Sequence, residues 1–299
     1  MRHASIPLQN AMRDIAAEID RQFDQLLPIP ADPRAGLYQA MRHAAIGGGK
    51  RLRPLLVFAT AKLFGVDREC IARVATAIEC IHVYSLVHDD LPAMDDDDMR
   101  RGKPTVHKAF DEATAILAGD CLHALAFELL ADERTHGDPF VRVELVQCIA
   151  NAAGPAGMGG GQMMDLEAEK TSFDLPTVTR LQAMKTGALI ACSVEAGAIL
   201  GRLPIEGRTG LRGYARDVGL AFQIADDLLD VEGDEEAVGK ALRKDGSAGK
   251  DTFVSLLGVE RAREQARILV EQAIDHLHAY GNEADLLRDI ARFTLERDR

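Results

Sequence analysis

The sequence has no tryptophan, and aromatic residues account for only 5% of its 299 positions. Strands favour aromatic and β-branched residues, whereas alanine and leucine favour helices. Alanine and leucine are abundant along the chain, and no segment alternates polar and apolar residues for more than a few positions. These absences argue against a sheet protein and predict an all-α fold.

Cysteine is also scarce. The five cysteines are odd in number and include no Cys-x-x-Cys pair. Such a set predicts neither a disulfide framework nor a zinc site, and it is typical of a reducing compartment. We therefore expect a cytoplasmic protein.

Positive charge is in the minority, since the net charge at pH 7 is −12. A general affinity for nucleic acid or for anionic membranes is therefore not expected. The longest charge-free run, Leu145–Met164, contains Pro155 and five glycines, which argues against membrane insertion. Residues 1–25 carry charges throughout and predict no secretory leader.

What the chain does contain is a series of helical patterns separated by short glycine-containing breaks. No repeat at solenoid spacing and no low-complexity linker divides them, so we predict one domain over residues 1–299, folded as a large helical bundle. The least regular segment, Val231–Thr252, carries four glycines, six acids and four bases. It is either a solvated loop or a mobile lid over a site.

A first acidic cluster follows a predicted helix over Ile71–Asp89, whose inward stripe starts apolar and ends polar. The run Asp89–Asp98 holds six carboxylates in ten residues, and Pro92 forces a bend that can return Asp95 toward Asp89. Taken alone, such a run is more simply an acidic surface loop. Clustered oxygen ligands that grow out of a buried helix face instead favour a hard ion such as Mg²⁺.

A second acidic cluster lies on a predicted helix over Leu211–Asp230. Asp226 and Asp230 are one turn apart on one face, and Gln223 lies three residues before Asp226. One such spacing is a weak signal, but two aspartate clusters on the inward faces of separate helices predict a shared, metal-filled cavity.

Basic residues supply the complementary charge. The motif Gly-Gly-Lys-Arg-Leu-Arg-Pro at 48–54 places three cations and a glycine turn before a helix expected to begin near Pro54. It is either an anion site or an ordinary basic turn. His82 is either a core residue or a ligand contact, and Lys185 is either a substrate contact or a solvated helix residue. Since carboxylates hold phosphates only through bridging metal ions, the pattern suits two anions, one bridged by metal and one held by Arg and Lys.

Together these motifs resemble the trans-isoprenyl diphosphate synthases. The resemblance covers nearly the whole chain, in order, and rests on residues 48–54, 88–105, 160–162, 185–187 and 222–230, which read GGKRLRP, HDDLPAMDDDDMRRGKPT, GGQ, KTG and FQIADDLLD.

The resemblance implies a helical bundle of the isoprenoid synthase type with a central cavity, a homodimer, and three Mg²⁺ ions for which Mn²⁺ can substitute. The partners would be small isoprenoid diphosphates. Asp89 and Asp95 would bind two ions and Asp226 the third, supported by Asp90, Asp227 and Asp230. Isopentenyl diphosphate would contact Gly49, Lys50, Arg53, His82 and Arg101, and the allylic diphosphate would contact Arg100, Lys185, Lys240 and Lys250. Thr186 and Gln223 would face the developing carbocation. Catalysis would depend chiefly on Asp89, Asp95, Arg100, Lys185, Asp226 and Lys240.

The implied reaction joins isopentenyl diphosphate to dimethylallyl and then geranyl diphosphate after metal-assisted ionisation of the allylic C–O bond. Product length would depend on the residues five and four before the first aspartate, Tyr84 and Ser85. A small serine followed deeper by a tyrosine predicts farnesyl diphosphate, with fifteen carbons, as the main product. The alternative for Tyr84 is simple packing between helices.

Four alternatives stay open at this point. A geranylgeranyl diphosphate synthase is the nearest. An HD-type phosphohydrolase would use His88 and Asp89 as a metal pair, but it leaves the cluster at 226–230 unexplained. A catalytically silent synthase subunit would typically lack one aspartate cluster. A terpene cyclase would not need the motif at 48–54.

Overall fold

The computed structural model describes residues 4–232 and 250–296. Apart from short π and 3₁₀ turns, the helices are α1 Ile6–Leu26, α2 Ala35–Ala45, α3 Leu52–Lys62, α4 Arg68–Asp89, α5 Val106–Ala109, α6 Glu112–Ala131, α7 Pro139–Ala153, α8 Met158–Ala168, α9 Leu175–Gln182, α10 Ala188–Leu200, α11 Thr209–Glu232, α12 Phe253–Leu257, α13 Val259–Asp275 and α14 Asp285–Glu296. The all-α prediction is confirmed.

Helix α4 lies at the centre of the bundle. It is buried on every side from Ile71 to Ile81, as expected of a helix that is apolar nearly all round. It packs against α3, α6 and α10, and its amino end is capped by the Asp67 side chain. Because α4 runs through the centre of the bundle, its last residue, Asp89, lies at the end of the core.

The second acidic helix, α11, packs against α10, α13 and α14. Its predicted inward residues Leu211, Ala215 and Val218 are buried, and the Tyr214 hydroxyl donates a 2.7 Å hydrogen bond to the Leu287 carbonyl. Burial of this stripe fixes which face of the helix presents Asp226 and Asp230.

In the described part of the chain, the strands are limited to one hairpin that pairs Met99–Arg100 with Lys103–Pro104. Arg101 and Gly102 form its turn with φ of 53° and 76°. Positive φ at both central residues is the requirement of a type I′ turn. The hairpin holds Arg100 and Arg101 beside the end of α4.

The structure adds detail at two points in the helices. Helix α3 begins at Leu52, near the expected Pro54 and directly after Arg51, which adopts a left-handed conformation with φ 50°. A π-helical turn, Ala183–Gly187, separates α9 from α10. Turns of this kind inside helices often mark functional sites.

In the part of the chain that the structure describes, three helical stretches are long and apolar enough to cross a membrane by length and composition, namely Arg68–Asp89, Glu112–Ala131 and Leu175–Leu200. In the bundle, 72% of the apolar window of the first is buried, against 39% for Glu112–Ala131. The apolar character of α4 is therefore explained by the core, whereas α6 leaves part of its apolar surface uncovered.

Candidate active site

The two ends of the first acidic motif are held together by the backbone. After α4 ends at Asp89, the chain turns through Leu91 and Pro92, and the Asp95 amide donates a 2.8 Å hydrogen bond to the Asp89 carbonyl. The predicted return of Asp95 toward Asp89 is confirmed. Both carboxylates therefore leave the same turn, as a shared cation would require.

The surroundings of Asp89 disfavour the ionised form of its carboxyl. Burial, together with the negative charges of Asp95 and Asp90, raises the pKa of Asp89 to about 6, although the nearby Lys185 opposes that shift. An additional cation beside Asp89 would remove this penalty. The site is thus short of positive charge at the point where the sequence predicts a metal.

Buried Asp90 pairs with Arg100, which is partly exposed. Asp90 is only 3% exposed, and the Arg100 guanidinium lies 2.6 Å from its carboxylate. Asp97 lies 3.7 Å from the same guanidinium. Arg100, which the family resemblance assigns to the allylic diphosphate, is therefore tied to the first acidic motif, and Asp90 positions it.

The aspartates of the second motif divide between two environments. Asp227 is 2% exposed, and its carboxylate accepts hydrogen bonds from the Phe253 amide at 2.9 Å and the Gln223 side chain at 3.2 Å. Asp226 acts electrostatically on Arg53, because its charge favours the ionised form of that guanidinium. Asp227 thus fixes the start of α12, while Asp226 faces the basic motif.

The basic motif and the hairpin meet at His82. Its Nε2 lies 3.3 Å from Arg53 Nη1 and 3.5 Å from Arg101 Nη2. Burial and the charges of Arg53 and Arg101 lower the pKa of His82 well below its usual value, so the imidazole is neutral. Burial and Arg101 also lower the pKa of Arg53 to about 10, against the opposing charges of Glu79 and Asp226. Two guanidinium groups beside one neutral acceptor form a site that an anion would stabilise.

Gly49 allows the Arg101 guanidinium to lie close to the basic motif. Its φ is +78°, and a Cβ at this position would lie 2.6 Å from Cζ of Arg101, so only glycine fits. Arg51 takes no part in the anion site because its guanidinium is buried between Glu79 at 2.6 Å and Asp20 at 2.7 Å. The Lys50 ammonium lies 5.6 Å from the centre of the Phe293 ring on α14.

A third group of polar residues surrounds the π-helical turn. The Thr186 hydroxyl donates a 3.1 Å hydrogen bond to Gln223 Oε1, which joins the two side chains predicted to act together. Lys185 and Lys250 both donate to one carboxylate, that of Asp165 on α8, at 2.8 Å and 2.9 Å. Lys250 also lies 3.2 Å from Glu169. The structure therefore brings the two predicted lysines together.

Asp165 is a residue that the sequence analysis missed. It lies one turn after Gly161, where a Cβ would come within 2.2 Å of the Lys185 amide, so glycine lets α8 approach the π-helical turn. A carboxylate on the glycine face of a helix, near a predicted Lys-Thr-Gly turn, is the signal that could have found it. Asp165 is 8% exposed, and Lys185 and Lys250 hold the pKa of its carboxyl below its usual value despite burial.

The predicted chain-length residues lie between α4 and α6. The Tyr84 ring packs edge-on against His123 with ring centroids 4.9 Å apart, and His123 in turn contacts Phe127 at 5.1 Å. Ser85 donates a 2.9 Å hydrogen bond to the His82 carbonyl. The role of Tyr84 and Ser85 in product length stays a prediction, to which the structure adds His123 and Phe127 as supports of the tyrosine.

Lys240 lies outside the described residues, as does most of the Val231–Thr252 segment, so neither its substrate contact nor the lid prediction is tested. Among residues 4–232 and 250–296, one group of potential metal ligands gathers its atoms within 4.8 Å, formed by Asp96, Asp98 and His107. It is not the predicted ligand set. Asp89, Asp95 and Asp226 do not form a group of this kind among the described residues.

The HD-type alternative does not fit the geometry. It requires His88 as a metal ligand, but His88 Nε2 lies 3.1 Å from the Ile116 carbonyl on α6. A Cβ at Gly119 would lie 2.1 Å from the same nitrogen, so α6 closes tightly over the ring. His88 is therefore part of the contact between α4 and α6.

The fold and this site correspond to a known family. The family model described as polyprenyl synthetase matches residues 34–288, and the chain belongs to that family.

Individual relatives indicate which members of this family the chain is similar to. The chain is 43% identical to the farnesyl diphosphate synthase of Escherichia coli K12 over 93% of this chain and 94% of that protein. It is 44% identical to the farnesyl diphosphate synthase of Geobacillus stearothermophilus over 88% and 89% of the two chains. A crystal structure described as an FPP/GFPP synthase from Zymomonas mobilis superposes with a TM-score of 0.89 at 59% identity, covering 96% of this chain and 98% of that one.

Proposed function

We propose that this protein is a prenyltransferase that condenses isopentenyl diphosphate with dimethylallyl and geranyl diphosphate to give (2E,6E)-farnesyl diphosphate. The observation that carries the proposal is the presence of two separate basic groups, one around His82 and one around Asp165, on either side of the carboxylates. A condensation of two diphosphates needs two such sites. The relatives described as farnesyl diphosphate synthases support the same reaction.

The first site suits the diphosphate of isopentenyl diphosphate. Arg53 and Arg101 share neutral His82 as a neighbour and are close enough to disfavour each other's charge. A bound diphosphate would accept hydrogen bonds from both guanidinium groups, which bind such anions with two parallel bonds. Gly49 and Lys50 complete this site.

The carboxylates between the two sites fit Mg²⁺. Asp89, Asp95 and Asp226 would hold the ions, with Asp90, Asp227 and Asp230 in support, and all of their donor atoms are oxygen, which a hard ion prefers. The raised pKa of Asp89 supports this assignment, because added positive charge would favour the ionised form of its carboxyl. When bound, the ions neutralise the departing diphosphate and so favour ionisation of the allylic C–O bond. We propose three ions, with Mn²⁺ as a substitute.

The second site suits the allylic diphosphate. Asp165 holds Lys185 and Lys250 with their ammonium groups on one carboxylate oxygen. We assign Arg100 and Lys240 to the same diphosphate. Positioned cations that contact the leaving group stabilise the charge it gains in the transition state.

The pair of Thr186 and Gln223 supplies oxygen atoms beside this leaving group. Because Thr186 donates to Gln223, the threonine oxygen retains lone pairs that can face a positive carbon. The double bond of isopentenyl diphosphate attacks that carbon, and the released diphosphate accepts the proton. The reaction therefore needs no nucleophile from the protein.

The decisive experiment is chromatography of the products formed from labelled isopentenyl diphosphate with dimethylallyl or geranyl diphosphate as primer. A labelled fifteen-carbon diphosphate from both primers is expected. Consumption of the primer without incorporation of label would contradict the proposal and favour a cyclase or a phosphohydrolase.

A longer product is the second candidate. The Zymomonas mobilis protein with 59% identity is described as an FPP/GFPP synthase, so a related cavity serves more than one product. The same chromatography, repeated with farnesyl diphosphate as primer, distinguishes the two. Extension of farnesyl diphosphate at a rate comparable to that of geranyl diphosphate would favour the longer product.

We also propose a cytoplasmic homodimer without membrane insertion. The exposed apolar side chains Ile116 and Leu117 on α6 and Phe140 and Val143 on α7 are 46%, 54%, 82% and 64% exposed. Exposed apolar side chains on these two packed helices are available to contact a second copy of the chain. Light scattering should give twice the chain mass for the wild type and less for Phe140→Glu. A wild-type monomer would contradict the proposal.

A further inference from the structure

Two thiols that the proposed chemistry does not use lie side by side on neighbouring helices. Cys148 on α7 and Cys192 on α10 have their sulfur atoms 3.3 Å apart, and Cys148 donates a hydrogen bond to Cys192. Cys192 is 3% exposed, whereas Cys148 is half-buried. The pair therefore joins a half-buried cysteine to a buried one.

From this juxtaposition we infer that Cys148 and Cys192 form a modification site, at which a peroxide converts the two thiols into a disulfide between α7 and α10. A disulfide requires sulfurs about 2 Å apart, so the two atoms need to approach by little more than about 1 Å. This distance is within the reach of side-chain rotation on two packed helices.

An ion-pair network beside the thiols holds the two helices in register. The Arg208 guanidinium lies 2.5 Å from Glu144, one turn before Cys148, and 3.1 Å from Glu195, three residues after Cys192. Arg212 also pairs with Glu195, at 2.7 Å. Because Arg208 joins α7 to α10 beside the thiols, the packing of the two helices keeps the sulfur atoms close to each other.

The order of events follows from access and reactivity. Cys148 is oxidised first because Cys192 is shielded, and because the hydrogen bond with Cys148 and burial raise the pKa of the Cys192 thiol well above its usual value. Hydrogen peroxide transfers one oxygen to the Cys148 sulfur, giving a sulfenic acid and water. The Cys192 sulfur then attacks the Cys148 sulfur, its proton leaves with the displaced hydroxide as a second water, and the S–S bond forms. The pair loses two electrons, and the peroxide gains them.

The chain supplies matched controls. Cys70 and Cys121 are also half-buried, and Cys80 is fully buried. Within residues 4–232 and 250–296, which include all five cysteines, hydrogen bonding between sulfurs is restricted to Cys148 and Cys192. Burial raises the pKa of Cys70 and of Cys121, so neither is a preferred target of the oxidant.

The test treats the full-length folded enzyme with hydrogen peroxide, then unfolds it and alkylates the thiols that remain. The wild type has five thiols before treatment. We expect two fewer alkylated cysteines after treatment, and a peptide that links α7 to α10 and separates on reduction. In Cys192→Ser, Cys148 should become a sulfenic acid that dimedone traps, with no linked peptide. In Cys121→Ser, the link should form as in the wild type.

Thermal unfolding provides a second test of the inference. The oxidised wild type should unfold at a higher temperature than the reduced form, and Cys148→Ser should lose this difference, because a cross-link restricts the unfolded chain. Circular dichroism of the untreated variants checks that each is folded. Retention of all five alkylatable thiols in wild type, or a link that joins any other pair, would overturn the inference.

Discussion

The carboxylate of Asp165 accepts a 2.8 Å hydrogen bond from Lys185, although the two residues come from different helical segments. The same oxygen accepts a 2.9 Å hydrogen bond from Lys250, which lies three residues before the start of α12. One buried aspartate thus positions two of the cations that we assign to the allylic diphosphate. We expect its loss to affect that substrate selectively.

Replacement of Asp165 by Asn should lower kcat/KM for the allylic substrate by about 10- to 100-fold, since the lysines lose their fixed geometry. The pH profile should also change. Burial lowers the pKa of Lys250, but its hydrogen bonds to Asp165 and Glu169 raise it overall. Without Asp165, Lys250 should lose its proton at a lower pH, so the alkaline limb of activity should move downward. Glu169→Gln removes the more exposed partner of Lys250 and should give a smaller shift in the same direction. A pH profile of Asp165→Asn identical to that of the wild type would contradict this role.

Removal of the Asp89 charge should stabilise the metal-free protein. Because its pKa is raised to about 6 from a usual value of 3.8, folding binds a proton, and the free energy of unfolding falls as pH rises between these values. Above pH 6 the penalty is complete and amounts to about 3 kcal/mol. Asp89→Asn should therefore unfold at higher denaturant than the wild type at pH 7.5, and the difference should vanish near pH 4. Equal stability at both pH values would show that Asp89 bears no such penalty.

The same substitution should nearly abolish turnover. Asp89→Asn and Asp226→Ala should each lower kcat by several orders of magnitude, with unchanged circular dichroism, because they remove ligands for the ions that stabilise the leaving group. Excess EDTA should likewise stop condensation, and added Mg²⁺ should restore it. Undiminished activity in EDTA would eliminate the metal proposal.

Substitutions in the two basic groups should change the kinetic constants of different substrates. Arg53→Ala removes one of two guanidinium groups at His82 and should chiefly raise KM for isopentenyl diphosphate, by about 10- to 100-fold. Lys185→Ala should act mainly through the allylic substrate. Steady-state rates with each substrate varied in turn provide the measurement. Equal effects of both variants on both substrates would refute the division into two sites.

Product length should respond to Tyr84. Its ring packs on His123, and His123 packs on Phe127, so removal of the ring opens space between α4 and α6. Tyr84→Ala should shift the product from fifteen to twenty or more carbons, and Ser85→Phe should shift it to ten. Phe127→Ala should give a smaller shift than Tyr84→Ala, because it only loosens a support. If Tyr84→Ala still stops at fifteen carbons, the end of the cavity lies elsewhere.

Local patterns in the sequence were enough to predict the helices, the two aspartate clusters and the return of Asp95 toward Asp89. Helix periodicity and the effect of Pro92 act over a few neighbouring residues, so each can be recognised without knowledge of the fold. The family resemblance named Thr186 and Gln223 as carbocation contacts, but the hydrogen bond between them was not predicted.

Contacts between distant segments were decided by the tertiary structure. The neutral state of His82 follows from its burial beside Arg53 and Arg101, and the position of Arg100 follows from its pair with buried Asp90. The meeting of Lys185 and Lys250 at Asp165 depends on three elements that only helix packing brings together. The sequence by itself determined which charges the protein carries and on which helix faces they lie. Tertiary packing decided which of those charges meet. Burial and proximity determine the partners of each group and shift its pKa from the usual value of its residue type.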